Sequence, residues 1–185
     1  MDSIILFDFD GTIADTISAG LEIINAHADK YGYKRLDGDI KTHFSALQLV
    51  KLAEKSDELK VLPEAPELIK KLKEKGYELG ILTSNSFNTV KAFLKKYELE
   101  SYFSFLRTDV SLFGKKKALA KSKKVLGKKI IYIGDELRDI EACRKNDIPI
   151  VSIPWGLNSF EALEEHNPGL VAKSAGEAYN LLIKL

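Results

Sequence analysis

The chain has 185 residues, 28 of them basic and 27 acidic, for a formal charge of +1. That length suits one well-buried domain carrying a small insertion rather than two full domains, and the balanced charge gives no reason to expect nucleic acid or an anionic membrane as a partner. The single cysteine, Cys143, excludes an internal disulfide, and without a Cys/His cluster zinc-type ligation is excluded as well, so a reducing cytoplasm is the expected compartment.

The first predicted element is a strand over Ser3 to Phe9, whose apolar run Ile4 to Phe7 is too short for a targeting or membrane-spanning segment and has no basic leader. It delivers Asp8 and Asp10 into a glycine turn, Gly11-Thr12. Side chains two apart on a strand share a face, so the two carboxylates are expected to converge on one ligand. Two acids that close repel each other, and a divalent cation is the simplest way to keep both ionised at neutral pH. Gly11 lets the backbone turn sharply toward a bound anion, and the Thr12 hydroxyl can tie the turn back on itself. Taken alone, the same five residues also describe an ordinary strand ending in an Asx turn.

Residues 15–61 break the alternation of strand and helix and read as two or more helices. Leu21, Ile24 and Ala28 mark one apolar face, Leu47, Val50 and Leu52 another, with the polar turn Tyr31 to Asp39 between them. An insertion placed directly after the first strand would hang over the carboxyl edge of a parallel sheet, where such sheets bind ligands. Further on, short apolar runs recur at Glu78 to Thr83, Phe103 to Arg107, Lys129 to Ile133 and Pro149 to Ile153. The second and fourth strands lack polar alternation, as expected of strands buried on both faces. Helical periodicity fills the gaps, most clearly in Pro66 to Gly76, where Leu68, Ile69 and Leu72 share a face and Gly76 stands as a C-terminal cap. Val90 to Leu94, Leu119 to Leu126 and Gly176 to Leu185 repeat the pattern. The expected fold is therefore α/β, a doubly wound parallel sheet of Rossmann-like type, with a core over 1–14 and 62–185 and a small α-helical cap over 15–61.

Three more strand ends carry chemistry. Thr83-Ser84-Asn85 closes the second strand with two hydroxyls and an amide able to donate to phosphate oxygens. Gly114-Lys115 opens a helix, placing a point charge beside the positive end of a helix dipole. Gly134-Asp135-Glu136 and, one helical turn later, Asp139 add carboxylates of the oxygen-only kind that magnesium prefers. Lys115 to Lys129 holds eight lysines and no acid. Beyond Lys115 it reads as a solvated helix face, since no aromatic residues interleave with it.

With these residues in order, Asp8-x-Asp10-Gly11-Thr12, Thr83, Lys115 and Gly134-Asp135-x-x-x-Asp139, the chain resembles the haloacid dehalogenase superfamily of phosphohydrolases. Pro154 to Ser159 and Asn167-Pro168-Gly169 extend the resemblance toward its phosphoglycolate-phosphatase-like branch, with a cap shorter than that branch usually has. The resemblance implies a magnesium-dependent phosphatase of a small phosphorylated metabolite, monomeric or weakly dimeric. Within it Asp8 is the nucleophile that becomes an aspartyl-phosphate, and Asp10 the acid that protonates the leaving group and then the base that activates water. Thr83 and Lys115 hold the transferring phosphoryl group, with Gly11, Thr12, Ser84 and Asn85 lining it. Asp8, the Asp10 backbone carbonyl and Asp135 hold Mg2+, with Asp139 in support, and Glu136 is left open. The presence of Asp10 favours phosphate esters over dehalogenation or phosphonate cleavage, which need no such acid. A phosphomutase, or a phospho-accepting or binding protein without turnover, remains an alternative. His27, His43 and His166 have no partner at a recognisable spacing and read as surface or cap residues. Arg35 and His43 are the better candidates for substrate contact, Trp155 is expected at the site's rim, and Cys143 on a buried helix face.

Overall fold

The computed structural model describes residues 2–35, 59–108, 110–111 and 114–185. Leu36 to Asp39 of the expected polar turn, His43, Leu47, Val50 and Leu52 lie outside these residues.

The apolar run near the start forms β1 (Ser3–Phe7), and its position in the sheet follows from its composition: Ile4, Ile5, Leu6 and Phe7 are all buried, which requires cover on both faces and a neighbour on both edges. β1 pairs in parallel with β2 (Glu78–Leu82) on one side and β4 (Lys129–Gly134) on the other. β3 (Phe103–Arg107) and β5 (Ile150–Ser152) complete a five-stranded parallel sheet of order β3-β2-β1-β4-β5. Strand alternation divides the core in two. Ile5, Phe7, Leu79, Ile81, Ile131, Ile133 and Val151 face one layer of helices, and Ile4, Leu6, Leu82, Ile130, Tyr132 and Ile150 face the other.

The first layer is built from α2 (Glu64–Glu74), which buries Leu68, Ile69 and Leu72, from α3 (Phe87–Lys96), which buries Val90, Phe93 and Leu94, and from α7 (Ala175–Leu182). The second holds α4 (Lys115–Leu126), α5 (Leu137–Arg144) and α6 (Phe160–His166), contributing Leu119, Ile140, Cys143 and Leu163. Neighbouring side chains on the sheet crowd Gly80, where a Cβ would sit 2.7 Å from Leu6 Cδ2 on β1 and 3.0 Å from Phe105 Cβ on β3. The outer face of α4 is basic, with Lys116, Lys117, Lys121 and Lys124 exposed.

The chain runs outward from β1 through β2 to β3 with helices on one face. It then crosses to β4 and β5 with helices on the other, so a crevice opens at the carboxyl ends of β1 and β4. α1 (Thr16–Tyr31) leaves the core immediately beyond this crevice, capped by the Asp15 side chain, which accepts from the Ser18 amide. The outgoing and returning chains meet as a short antiparallel bridge between Ala14 and Val61, flanked by hydrogen bonds from Asp15 N to Lys60 O and from Leu62 N to Ile13 O, both 2.9 Å.

Candidate active site

The site begins where β1 stops. The Asp8 amide still donates to Ile133 O at 2.9 Å, continuing the ladder, but the Phe9 amide turns back onto Asp8's own Oδ1 at 2.8 Å. The amides of Thr12, Ile13 and Ala14 all reach Phe9 O, winding the chain into a tight turn. That turn needs a glycine twice over. Gly11 has φ of +72°, and a Cβ on it would lie 2.3 Å from Asp135 Oδ2.

Asp8 and Asp10 bond different partners. Asp10 receives the Thr83 hydroxyl at 3.2 Å and the Asn85 side-chain amide at 3.0 Å, both from the loop after β2. Thr83 Oγ1 in turn accepts from the Asn85 amide, and Asn85 Oδ1 from the Ser86 amide, so the loop is a closed hydrogen-bond circuit with Ser84 partly exposed on it. Asp8 Oδ2 accepts from Lys115 Nζ at 2.6 Å. The same ammonium reaches Asp139 Oδ1 at 2.5 Å and lies 5.8 Å from the centre of the Tyr132 ring. Asp135 accepts the Thr12 hydroxyl on Oδ1 at 2.9 Å and the Leu157 amide on Oδ2 at 2.7 Å. Asp139 forms a reciprocal cap with Glu136 at the start of α5, which folds its carboxylate back toward the end of β4. Glu136 itself is ion-paired with Arg138, Nε to Oε2 at 2.6 Å.

Residues predicted from four separate strand ends therefore stand together. Asp8, Asp135 and Asp139 are all buried, with one oxygen of each within 4.8 Å of the others. Burial and the Asp8 charge push Asp10 up to about 7, against its hydrogen bonds from Asn85 and Thr83. Asp139 also rises to about 7, chiefly by desolvation, with Lys115 opposing. Asp135 is held well above the carboxylate range by burial and then by Glu136, Asp8 and Asp139. Burial alone would lower Lys115, but Asp139 and Asp8 outweigh it and keep the ammonium well above its ordinary value. Ionised together, four aspartates around one lysine would carry an excess of negative charge repelling a phosphate dianion, and that mutual repulsion contributes to the raised values of Asp10, Asp135 and Asp139. A hard divalent cation fits this donor set, which offers only oxygen, in preference to zinc or copper.

Other sequence candidates lie apart. Arg35 pairs with Asp29 on the surface at 2.7 Å, His27 is exposed beside the Tyr31 ring, and His166 is exposed on α6. Cys143 is buried on α5, and desolvation raises its thiol. Trp155 donates from Nε1 to Thr12 O at 3.4 Å, at the rim of the turn. Not anticipated as site residues are Gly156, Leu157 and Asn158, which press on Asp135. They fall within the Pro154 to Ser159 stretch that extended the family resemblance, where no side-chain chemistry marked them as part of the site.

Comparison with known proteins agrees with this geometry. The family model described as haloacid dehalogenase-like hydrolase matches residues 5–58 and 37–153. A phosphoglycolate phosphatase from Synechococcus elongatus is 28% identical over 206 residues, covering 98% of this chain and 97% of its own. The pyrophosphatase PpaX of Bacillus mycoides is 27% identical over 209 residues, covering 98% and 97%. Among solved structures, a haloacid dehalogenase-like family hydrolase from Streptococcus pneumoniae superposes with a TM-score of 0.77 at 22% identity over 97% of both chains, a likeness of fold.

Proposed function

The chain belongs to the haloacid dehalogenase-like hydrolase family, and from that premise we propose that it is a magnesium-dependent phosphatase that hydrolyses a small phosphate monoester through an aspartyl-phosphate on Asp8. The observation that carries this reading is the division of labour between two aspartates two residues apart. Asp8 lies against a lysine, and Asp10, held by a hydroxyl and an amide, is pushed up to about 7, where it can both give and take a proton.

In the first step an Asp8 oxygen forms a bond to phosphorus as the bond to the leaving oxygen breaks, and the Asp10 proton passes to that oxygen. In the second, the Asp10 carboxylate takes a proton from water, the water oxygen bonds to phosphorus, and the bond to Asp8 breaks to release inorganic phosphate, restoring Asp8 as a carboxylate and Asp10 as the acid. Lys115 balances charge on the phosphoryl group and on Asp8, and Thr83 and Asn85 fix the direction in which Asp10 delivers its proton. Gly11, Thr12 and Ser84 line the phosphoryl pocket. Asp8, the Asp10 carbonyl and Asp135 would hold magnesium, with Asp139 behind them, and the ion when bound supplies the charge neutralisation that lets a dianion approach Asp8.

The paired linkers at Ala14 and Val61 support a division into a core over 1–14 and 62–185 and a cap over 15–61. The relatives' names support a small phosphorylated substrate. No helix among the described residues is long and apolar enough to cross a membrane. A cytoplasmic protein, monomeric or weakly dimeric and without a nucleic-acid partner, is the setting proposed. Screening phosphorylated metabolites with magnesium or with EDTA tests the reading. Orthophosphate should appear only with the metal and vanish in Asp8→Asn. An isomerised sugar phosphate in its place would indicate a mutase, and turnover retained in Asp8→Asn would remove the proposed nucleophile.

A further inference from the structure

The loop after β5 has no part in the chemistry above, yet it makes some of the closest approaches to the site. A Cβ built on Gly156 would lie 2.1 Å from Asp135 Oδ2 and 2.3 Å from the Gly11 carbonyl oxygen. The next residue donates its amide to the same Oδ2 at 2.7 Å, and the Asn158 amide donates to the Asp135 carbonyl at 3.3 Å. The Asn158 side chain accepts from the Leu137 amide at 3.0 Å, the first residue of α5. On the other side, Trp155 donates to the carbonyl of Thr12, whose hydroxyl holds Asp135 Oδ1.

We infer that Trp155–Asn158 is a clamp that positions Asp135, with Gly156 as the positioning residue that lets backbone reach the carboxylate. Each Asp135 oxygen accepts a hydrogen bond, so the plane of the carboxylate is set from both sides while an oxygen of it stays within reach of a cation shared with Asp8. A side chain at residue 156 cannot be accommodated by small shifts. Asp135 is short and anchored at both oxygens, and the Gly11 carbonyl belongs to a turn already held at positive φ. Asn158 extends the clamp to the start of α5, the helix that carries Asp139. Fixing ligands before the metal arrives lowers the cost of ordering them on binding, the usual role of groups that hold metal ligands in place. The inference rests on the proposed magnesium site.

The test is Mg2+ titration of the full chain by calorimetry, in parallel with thermal melts in EDTA. Gly156→Ala should weaken Mg2+ binding at least about tenfold, within the range for loss of outer-shell partners. Asn158→Leu, which keeps the backbone and removes the link to α5, should weaken it about threefold or more while the EDTA melt stays cooperative. It keeps the question answerable if the alanine variant fails to fold. Gly127→Ala is the control. Gly127 caps α4 at φ +61° with open space where a Cβ would stand, so the substitution strains the backbone away from the site and should lower the melt without changing Mg2+ affinity. Wild-type affinity in folded Gly156→Ala or Asn158→Leu would overturn the clamp while leaving the phosphatase reading intact. An equal loss in Gly127→Ala would overturn it as a mere stability effect. Absence of Mg2+ binding by the wild type would overturn both.

Discussion

Replacing Asp10 with asparagine should abolish turnover and yet make the metal-free protein more stable. The rise of Asp10 from 3.8 to about 7 reflects burial first and the Asp8 charge second. At roughly 1.4 kcal/mol for each tenfold change in proton affinity, it corresponds to about 4 kcal/mol of destabilisation once the carboxylate is ionised in both folded and unfolded states. The sign follows from the direction. A raised acid costs nothing below its unfolded value, costs progressively more between 3.8 and about 7, and carries the full cost above. An amide of the same shape has no such cost and can keep its neighbours: its oxygen accepts from the Asn85 amide, and its NH2 donates to Thr83 Oγ1, whose hydroxyl rotates. Some of the gain is lost in that rearrangement, so about 2–4 kcal/mol is expected at pH 8. Urea unfolding of both proteins in EDTA, at pH 8 and at pH 5, measures it. The asparagine variant should be the more stable at pH 8, with the gap narrowing as pH falls. A wild type as stable as the variant at pH 8, or a gap independent of pH, would refute the assignment of Asp10 as a buried acid held near neutrality.

Magnesium should stabilise the protein more as pH rises from about 6 to about 8. Asp135 and Asp139 bind protons more tightly in the folded chain than in the unfolded one, and those protons must leave before the metal can be held. Thermal melts with and without Mg2+ check this, and an increment that shrinks with pH would contradict it. Gly80→Ala should cost about 1–3 kcal/mol, a fall of several degrees in Tm, because its methyl would overlap Leu6 and Phe105. Wild-type stability there would mean that the sheet relaxes more easily than its packing implies.

The central strand, its neighbours and their helices were legible because the period of apolar residues is a direct consequence of where side chains point. Ile4 to Phe7 and Ile130 to Ile133 could be buried on both faces only in the middle of a covered parallel sheet. The end of β1 was not. Phe9 continues the apolar run but is buried in the turn, edge-on to Phe93, and Phe7 is the last residue of the strand. Because the chain turns there, the strand period no longer relates Asp8 to Asp10, and their carboxylates meet Lys115 and the Thr83–Asn85 loop respectively. Asp139 stands nearer the other acids than its supporting role suggested. The spacing from Glu136 to Asp139 is that of a capping box, a local signal that would have folded it back toward β4. Gly156 and Leu157 act through a missing side chain and a backbone amide, which leave no chemical mark in a sequence, and the Asn158 side chain acts on the start of α5, a contact no local spacing announces.

The account stands most directly on Asp8 as the atom donor to phosphorus. Rapid acid quench of Asp10→Asn mixed with Mg2+ and an activated aryl phosphate that the wild type hydrolyses, whose leaving group departs without a proton from residue 10, followed by peptide mass mapping, should find one phosphoryl group on Asp8, accumulated because the base for its hydrolysis is missing. A phosphoryl group on any other residue, or wild-type turnover with none captured on Asp8, would contradict it.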